Sequence, residues 1–231
     1  MDLGKLHTMQ ENYFVQFEHT SLPRGGLTLN DVHELHNLVR ETKIAGIQIA
    51  DVGCWTGQST CVLANIAEEY NGKVFAIDWF KGSEATNLDW AGKYYNIRGI
   101  FNTNLNQYSF KDKVQVIDAP SEEAVNQFAD NSLDVVFLDA DHRYAWIEAD
   151  IKRWLPKVKS GGLLCGHDCE VVIRDGINSL LRVYRSCDTI KEIHFGVCQA
   201  VGELGGHKAK DLDRFQPHET LQSSIWYYKK P

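Results

Sequence analysis

The chain has 231 residues, with 24 Lys and Arg against 31 Asp and Glu, a formal net charge of −7 and a pI near 5.7. Hydrophobic residues make up 43% and charged residues 24%, the mix of a soluble globular protein, which excludes disordered, collagen-like and fibrous classes. A chain of this length buries roughly 70% of its unfolded surface, enough for a core without staples, and an acidic balance with no basic stripe argues against a nucleic-acid partner.

Residues 1–43 mix aromatic and polar positions (Tyr13, Phe14, Phe17) before Leu29-Asn30-Asp31-Val32, where Leu35, Leu38 and Val39 follow at helical spacing. This reads as an N-terminal helical cap, whose aromatic residues offer a surface for a homodimer. Residues 44–231 read as the main domain. Strand-like runs alternate there with amphipathic segments: Ile44 to Val52 then Ser59 to Tyr70, Lys73 to Trp79 then Tyr94 to Tyr108, and Val114 to Ile117 then Glu122 to Phe128. The alternation continues with Leu133 to Leu138, Tyr144 to Leu155, Leu163 to Gly166 and Val172 to Tyr184. Thr189 to Val201 and Ser223 to Tyr228 then read as a final antiparallel strand pair, joined by the polar stretch Gly202 to Gln222. The pattern predicts an α/β fold: a Rossmann-like, doubly wound, mostly parallel sheet of seven strands with helices on both faces. No apolar run approaches the roughly 20 residues of a membrane span. No secretory signal opens the chain, and Cys54, Cys61, Cys165, Cys169, Cys187 and Cys198 lack zinc-ribbon spacing, so they read as reduced thiols in a cytoplasmic protein.

The sharpest motif is Asp51-Val-Gly53-Cys-Trp55-Thr-Gly57-Gln-Ser59-Thr60, where the first strand of the alternation gives way to a helix. Glycines there let the backbone turn tightly and approach a ligand. Gln58 stands where a Walker loop needs Lys, and Cys54-Trp55-Thr56 breaks the G-x-G-x-x-G of a dinucleotide site, so an NAD-dependent oxidoreductase is disfavoured. About twenty residues on, Asp78 ends the next strand, a position from which a carboxylate accepts from ribose hydroxyls or is simply a strand-end acid.

These residues resemble the class I S-adenosylmethionine-dependent methyltransferases, whose D/E-x-G-x-x-x-G motif occupies the same strand-turn-helix. The resemblance covers roughly residues 44 to 231. It implies that Asp51, Gly53 and Gly57 lie along the methionine and ribose part of S-adenosylmethionine, that Asp78 takes the ribose hydroxyls, that Asp118 and Ser121 border the adenine, and that Ser59 also belongs to the cofactor site. Trp55 and Trp79 flank the same cleft, where an aromatic face would attract a sulfonium or would merely pack.

A second cluster joins Asp139, Asp141, His142 and Arg143 at the end of one strand to Gly161-Gly162-Leu-Leu-Cys-Gly-His167-Asp168 at the end of the next. In a doubly wound sheet both ends lie on the carboxyl edge, and so many charged groups there call for a cation or substrate to pair them. The pattern is similar to the metal-dependent O-methyltransferases of the catechol, caffeoyl-coenzyme A and macrocin-like sugar types. That similarity implies a divalent metal at Asp139, His167 and Asp168, with Asp139 also beside the cofactor, and Asp141 as the base; His142, whose intrinsic pKa suits the task, is the second choice. His167 stands where relatives commonly have Asp, and an imidazole favours Mn, Fe or Zn over Mg. Asp141 alternatively caps the following helix, with His142 structural. His194 and the cations Lys93, Arg143 and Arg174 are further candidates for holding an acceptor.

The resulting expectation is methyl transfer to a hydroxyl of a small-molecule acceptor. The alternatives are a metal-dependent hydroxylase or hydrolase resembling the cephalosporin-hydroxylase type, and a non-catalytic cofactor-binding module.

Overall fold

The structure, a computed structural model, describes residues 14–17, 20–23, 25–82, 95–170, 194–208 and 223–231. Among the described residues a hairpin comes first, β1 (Phe14–Phe17) antiparallel to β2 (Thr20–Pro23), followed by α1 (Leu29–Arg40). The hairpin stands where the sequence reading had only a helical cap. Phe14, Val15, Phe17 and Thr20 belong to the aromatic and β-branched types that favour strands. Thr28 opens α1 through a capping box with Asp31.

Next come β3 (Gln48–Val52), α2 (Gln58–Glu69), β4 (Lys73–Asp78), α3 (Ile97–Leu105) and β5 (Val114–Asp118). They are followed by the single turn α4 (Ser121–Ala124), β6 (Leu133–Leu138), α5 (Tyr144–Trp154) and β7 (Val158–Gly166). The last described elements are α6 (Phe195–Leu204), β8 (His207–Lys208) and β9 (Trp226–Lys229).

The sheet has seven strands in the order β5-β4-β3-β6-β7-β9-β8, with β8 only two residues long. Strands β3 to β7 are parallel, and β9 runs antiparallel to both β7 and β8. The chain fills one half of the sheet from β3 outward and then returns to β6 beside it. That reversal is a topological switch point, the place where open α/β sheets hold ligands at their carboxyl edge.

Each face of the sheet has its own core. One joins α1 and α2 to the sheet through Val32, Leu35, Val39, Leu63 and Ile66, so the N-terminal segment packs into the same core as the sheet. The other gathers Val136, Leu138, Ile147, Trp154, Val197 and Trp226 under α5 and α6. Strand β6 is buried along its whole length, which is why it reads as a continuous apolar run rather than an alternating one. Its one acid, Asp134, is held by the Lys159 ammonium at 2.7 Å and the Gln48 N–H at 2.8 Å.

The expected strand from Thr189 to Val201 is corrected. Residues 189–193 lie outside the described residues, and from His194 onward the chain caps and forms α6. Val197 and Val201 favour strands in isolation, yet with Cys198 and Ala200 they bury one side of a helix that packs on α5. Gly196 permits the approach, since a Cβ there would sit 2.5 Å from the His142 carbonyl oxygen and from the Tyr144 nitrogen. The antiparallel closure therefore uses β8 and β9. The expected helix from Val172 to Tyr184, together with Arg174, Lys93 and Cys187, lies outside the described residues. Cys54, Cys61, Cys165, Cys169 and Cys198 are free thiols, and among the described residues no helix is long and apolar enough to cross a membrane.

Candidate active site

The turn after β3 and the end of β6 meet at the switch point. Gly53 adopts φ +90°, and a Cβ on it would fall 2.1 Å from the Asp139 carbonyl oxygen, so only glycine lets the two strand ends close to this distance. Asp51 is fully buried beneath the turn. Its Oδ2 accepts from Ser59 Oγ at 3.0 Å and Thr60 Oγ1 at 2.5 Å, while Oδ1 has no hydrogen-bond partner among the described residues. Ser59 therefore serves the site through Asp51.

Asp78 ties this turn to the next one. Its two oxygens accept from the Trp55 N–H at 2.8 Å and the Phe80 N–H at 2.7 Å, and both donors sit at positive φ, +45° and +57°. Such conformations cost about 1–3 kcal/mol for a non-glycine residue and tend to collect at functional sites. The Trp79 N–H adds a third donor, which leaves the carboxylate one of its four or so lone-pair sites for a ligand. Trp79 is 40% exposed with the Lys81 ammonium 5.8 Å from its ring centroid. Asp118, which pairs with Asp78 across β4 and β5, is exposed and lies 3.7 Å from Arg98. The Ser121 hydroxyl is taken up inside the fold, donating to Asp150 at 2.7 Å and accepting from the Trp154 indole at 2.8 Å. Gln58, at the Walker-lysine position, instead clamps the backbone of Leu27 through bonds of 2.9 and 3.2 Å.

Across the switch point, the ends of β6 and β7 bring Asp139, His142, His167 and Asp168 together. His142 Nε2 lies 2.8 Å from Asp168 Oδ2 and 3.5 Å from Asp139 Oδ1. His167 Nδ1 lies 3.1 Å from Asp168 Oδ1 and 3.8 Å from Asp139 Oδ1. His194, at the cap of α6, places Nδ1 3.4 Å from Asp168 and 2.8 Å from Glu170, and its ring meets that of His142 edge-on at 4.9 Å. Two constellations share Asp168: Asp139, His167 and Asp168, and His142, Asp168 and His194, each with ligand atoms within 4.8 Å of one another. Despite the short distance, His142 Nε2 is buried and makes no aligned hydrogen bond among the described residues. A ring nitrogen close to two carboxylates yet off the hydrogen-bonding line is the arrangement of groups that converge on a common point. Asp168 itself sits at φ +61°.

The methyltransferase domain family model matches residues 50–169, just over half of the chain, which takes in the Gly53 turn, Asp78, Asp139, His142, His167 and Asp168. The chain belongs to the methyltransferase domain family. Solved structures agree with the fold of a class I methyltransferase. A candidate caffeoyl-CoA O-methyltransferase from Staphylococcus aureus is 16% identical with a TM-score of 0.57, covering 99% of this chain and 97% of that one. An S-adenosylmethionine-dependent O-methyltransferase from Thermotoga maritima is 15% identical with a TM-score of 0.56, covering 98% and 69%. A methyltransferase from Podospora anserina with bound S-adenosylhomocysteine is 12% identical with a TM-score of 0.54, covering 87% and 77%. At these identities the likeness is one of fold.

The electrostatics of this methyltransferase divide the site in two. Burial pushes the Asp51 carboxyl up to about 7, only partly opposed by the Ser59 and Thr60 hydroxyls. Burial likewise raises Asp78, against the pull of the Phe80 and Trp55 N–H groups. On the other side, burial would lower His142, but Asp139 and Asp168 overcome it and hold the imidazole up to about 10. His167 is raised well above its ordinary range by Asp139, Asp168 and Asp31, again against burial. Burial would raise Asp168, yet His142 and His167 hold it far below the carboxylate range.

The structure brings together Asp51, Gly53, Gly57, Ser59, Trp55 and Asp78 on one side, and Asp139, His142, His167 and Asp168 on the other. Asp141 stands beside them but is bound to Arg143, whose Nε and Nη2 lie 3.0 and 2.8 Å from its Oδ1 and Oδ2, with the Arg143 N–H adding a third bond. Asp31, Glu170 and Arg98 went unremarked in the sequence. Asp31 was hidden inside a Thr28-x-x-Asp31 cap and Glu170 two residues beyond Asp168. Arg98, stacked 4.9 Å over the Phe80 ring with a buried Nη1 that has no partner among the described residues, carries no local motif at all.

Proposed function

We propose that this methyltransferase transfers the methyl group of S-adenosylmethionine to a hydroxyl of a small molecule, with a divalent metal held at the strand edge. The observation that carries this reading is the convergence of Asp139, His167 and Asp168 directly beside the Gly53 turn. The residues fit both groups. The unpartnered Asp51 Oδ1 suits the amino-acid end of the cofactor, and the remaining acceptor capacity of Asp78 suits its ribose. Asp139, His167 and Asp168 offer a mixed nitrogen and oxygen donor set that favours Mn, Fe or Zn over Mg. When bound, the cofactor supplies an electrophilic methyl group and the ion makes an acceptor hydroxyl more acidic.

The chain's own residues then have three tasks. The turn and Asp78 orient the methyl donor against the acceptor, which is worth several kcal/mol in an in-line displacement. Asp139 and Asp168 fix where the acceptor oxygen sits. His142 takes its proton, in preference to Asp141, whose oxygens are held by Arg143. A cation held by Asp139 and Asp168 would offset the two attractions that raise the His142 imidazole, as a base role there requires.

The constellation of His142, Asp168 and His194 favours a second reading. Two imidazoles and one carboxylate form the donor set of non-haem iron oxygenation, as in a hydroxylase. Product analysis separates the two, a methylated product against a hydroxylated one.

Calorimetric titration of chelator-treated protein with S-adenosylhomocysteine tests the cofactor class. Saturable binding is expected, and Asp78→Ala should weaken it about tenfold or more, since hydrogen bonds to a charged group are worth about 1.5–3 kcal/mol. Absence of binding at millimolar ligand would overturn the proposal.

The affinity should also depend on pH. An ammonium placed near Asp51 favours its carboxylate, so below its free-state value of about 7 binding must expel a proton. Affinity should therefore rise with pH up to about 7 and flatten above it, with heats at pH 6 that vary with the ionisation enthalpy of the buffer. An affinity that is level from pH 6 to 8 would remove Asp51 from the cofactor's contacts.

A further inference from the structure

A connected set of polar groups runs from the N-terminal helix to His167, and no step described above uses it. Asp31 Oδ2 accepts from the Thr28 N–H at 2.8 Å and from Thr28 Oγ1 at 2.6 Å, and the Asp31 N–H donates back to Thr28 Oγ1 at 3.2 Å. Asp31 Oδ1 accepts from the Ser224 N–H at 2.8 Å, which joins α1 to the segment leading into β9. A capping carboxylate is ordinarily exposed, whereas Asp31 is only 2% exposed. Burying an ion is costly unless another group pairs with it. Its partner is His167, whose Nε2 lies 3.2 Å from Asp31 Oδ2 and is buried without an aligned hydrogen bond among the described residues.

On the opposite side of the same ring, Nδ1 faces Asp168 Oδ1 at 3.1 Å and Asp139 Oδ1 at 3.8 Å. The His167 carbonyl is fixed from a third direction by the Trp226 indole N–H at 3.1 Å. A carboxylate behind one ring nitrogen keeps the proton there and leaves the other nitrogen as an acceptor, the usual support of a metal-bound imidazole.

We propose that Asp31 is a positioning residue of the metal site, holding His167 so that Nδ1 faces the point shared by Asp139 and Asp168. The inference rests on the metal-dependent reading above. It gives the N-terminal helix a part in the chemistry: its first turn carries the carboxylate that orients a ligand contributed by β7's far end.

The test titrates chelator-treated full-length protein with Mn and with Zn, without other ligands, and records thermal melting alongside. Asp31→Asn keeps the shape and an acceptor oxygen for the cap but removes the charge behind His167. Thr28→Ala weakens the cap and leaves that charge in place. Thr28→Ala should lower the melting temperature and keep metal affinity within about twofold, whereas Asp31→Asn should weaken metal binding about 10–100-fold. Asp31→Ala should do both. Metal affinities of Asp31→Asn and Asp31→Ala equal to that of the unaltered protein, with melting shifts like that of Thr28→Ala, would reduce Asp31 to a helix cap. If the unaltered protein binds neither ion, the metal reading itself is overturned and the inference with it.

Discussion

Asp168→Asn should abolish divalent-metal binding and metal-dependent turnover while leaving the affinity for S-adenosylhomocysteine within a few-fold. Asp168 belongs to both metal-capable constellations, so its loss breaks them together. Loss of a metal that stabilises charge by several kcal/mol corresponds to a rate decrease of about a thousandfold or more. Asparagine is the sharper substitution because position 168 has φ +61°, a region that Asn tolerates and that costs Ala about 1–2 kcal/mol. Removing one member of a buried ion pair often costs about 3–5 kcal/mol, because the other charge is stranded. Here the stranded groups are His142 and His167, which can release their protons, so the folded state should survive. Calorimetry with Mn, melting temperature and turnover on the same preparation read these effects separately. Metal binding in Asp168→Asn equal to that of the unaltered protein would exclude Asp168 as a ligand.

What could be read in the sequence followed the strength of the local signal. Strand β6 was legible because Val135 to Leu138 is apolar on both faces, and the turn after β3 because Gly53 and Gly57 punctuate a strand-to-helix passage. Asp139, His167 and Asp168 were legible because a doubly wound sheet places consecutive strand ends on one edge, so sequence position stands in for proximity. The helix α6 was not, since Val197 and Val201 carry strand preference and the deciding contact is between Gly196 and the start of α5, more than fifty residues earlier in the chain. Asp31 was invisible for the same reason. Its capping role is local, but its partners His167 and Ser224 are brought to it only by the complete fold. Arg143 beside Asp141 was a short-range pair in plain view, and a charge count of that segment would have found it.

Gly53→Ala should be the most disruptive alanine substitution among the described glycines with positive φ, and comparison with two others isolates why. Gly46, Gly53 and Gly57 all have positive φ, at +71°, +90° and +94°. A Cβ at Gly46 meets nothing within 4 Å, so Gly46→Ala measures backbone strain alone, about 1–2 kcal/mol. A Cβ at Gly57 meets the Phe101 ring at 3.1 Å, a side chain with some freedom to give, so Gly57→Ala should cost somewhat more. At Gly53 the obstacle is backbone: the Asp139 carbonyl oxygen and carbon at 2.1 and 2.5 Å, and the Ala140 Cα at 2.8 Å. Overpacking adds about 1–3 kcal/mol to the strain, for a total of about 2–5 kcal/mol. The strands can accommodate the methyl only by separating at the switch point, which moves Asp139 away from Asp168 and opens the turn that faces the cofactor. Chemical denaturation of the three variants should give the order Gly46→Ala, Gly57→Ala, Gly53→Ala in increasing destabilisation. Gly53→Ala should also lose both S-adenosylhomocysteine and metal affinity, whereas Gly46→Ala keeps both. Equal stability and affinity in Gly53→Ala and Gly46→Ala would show that the contact between β3 and β6 does not couple the two halves of the site.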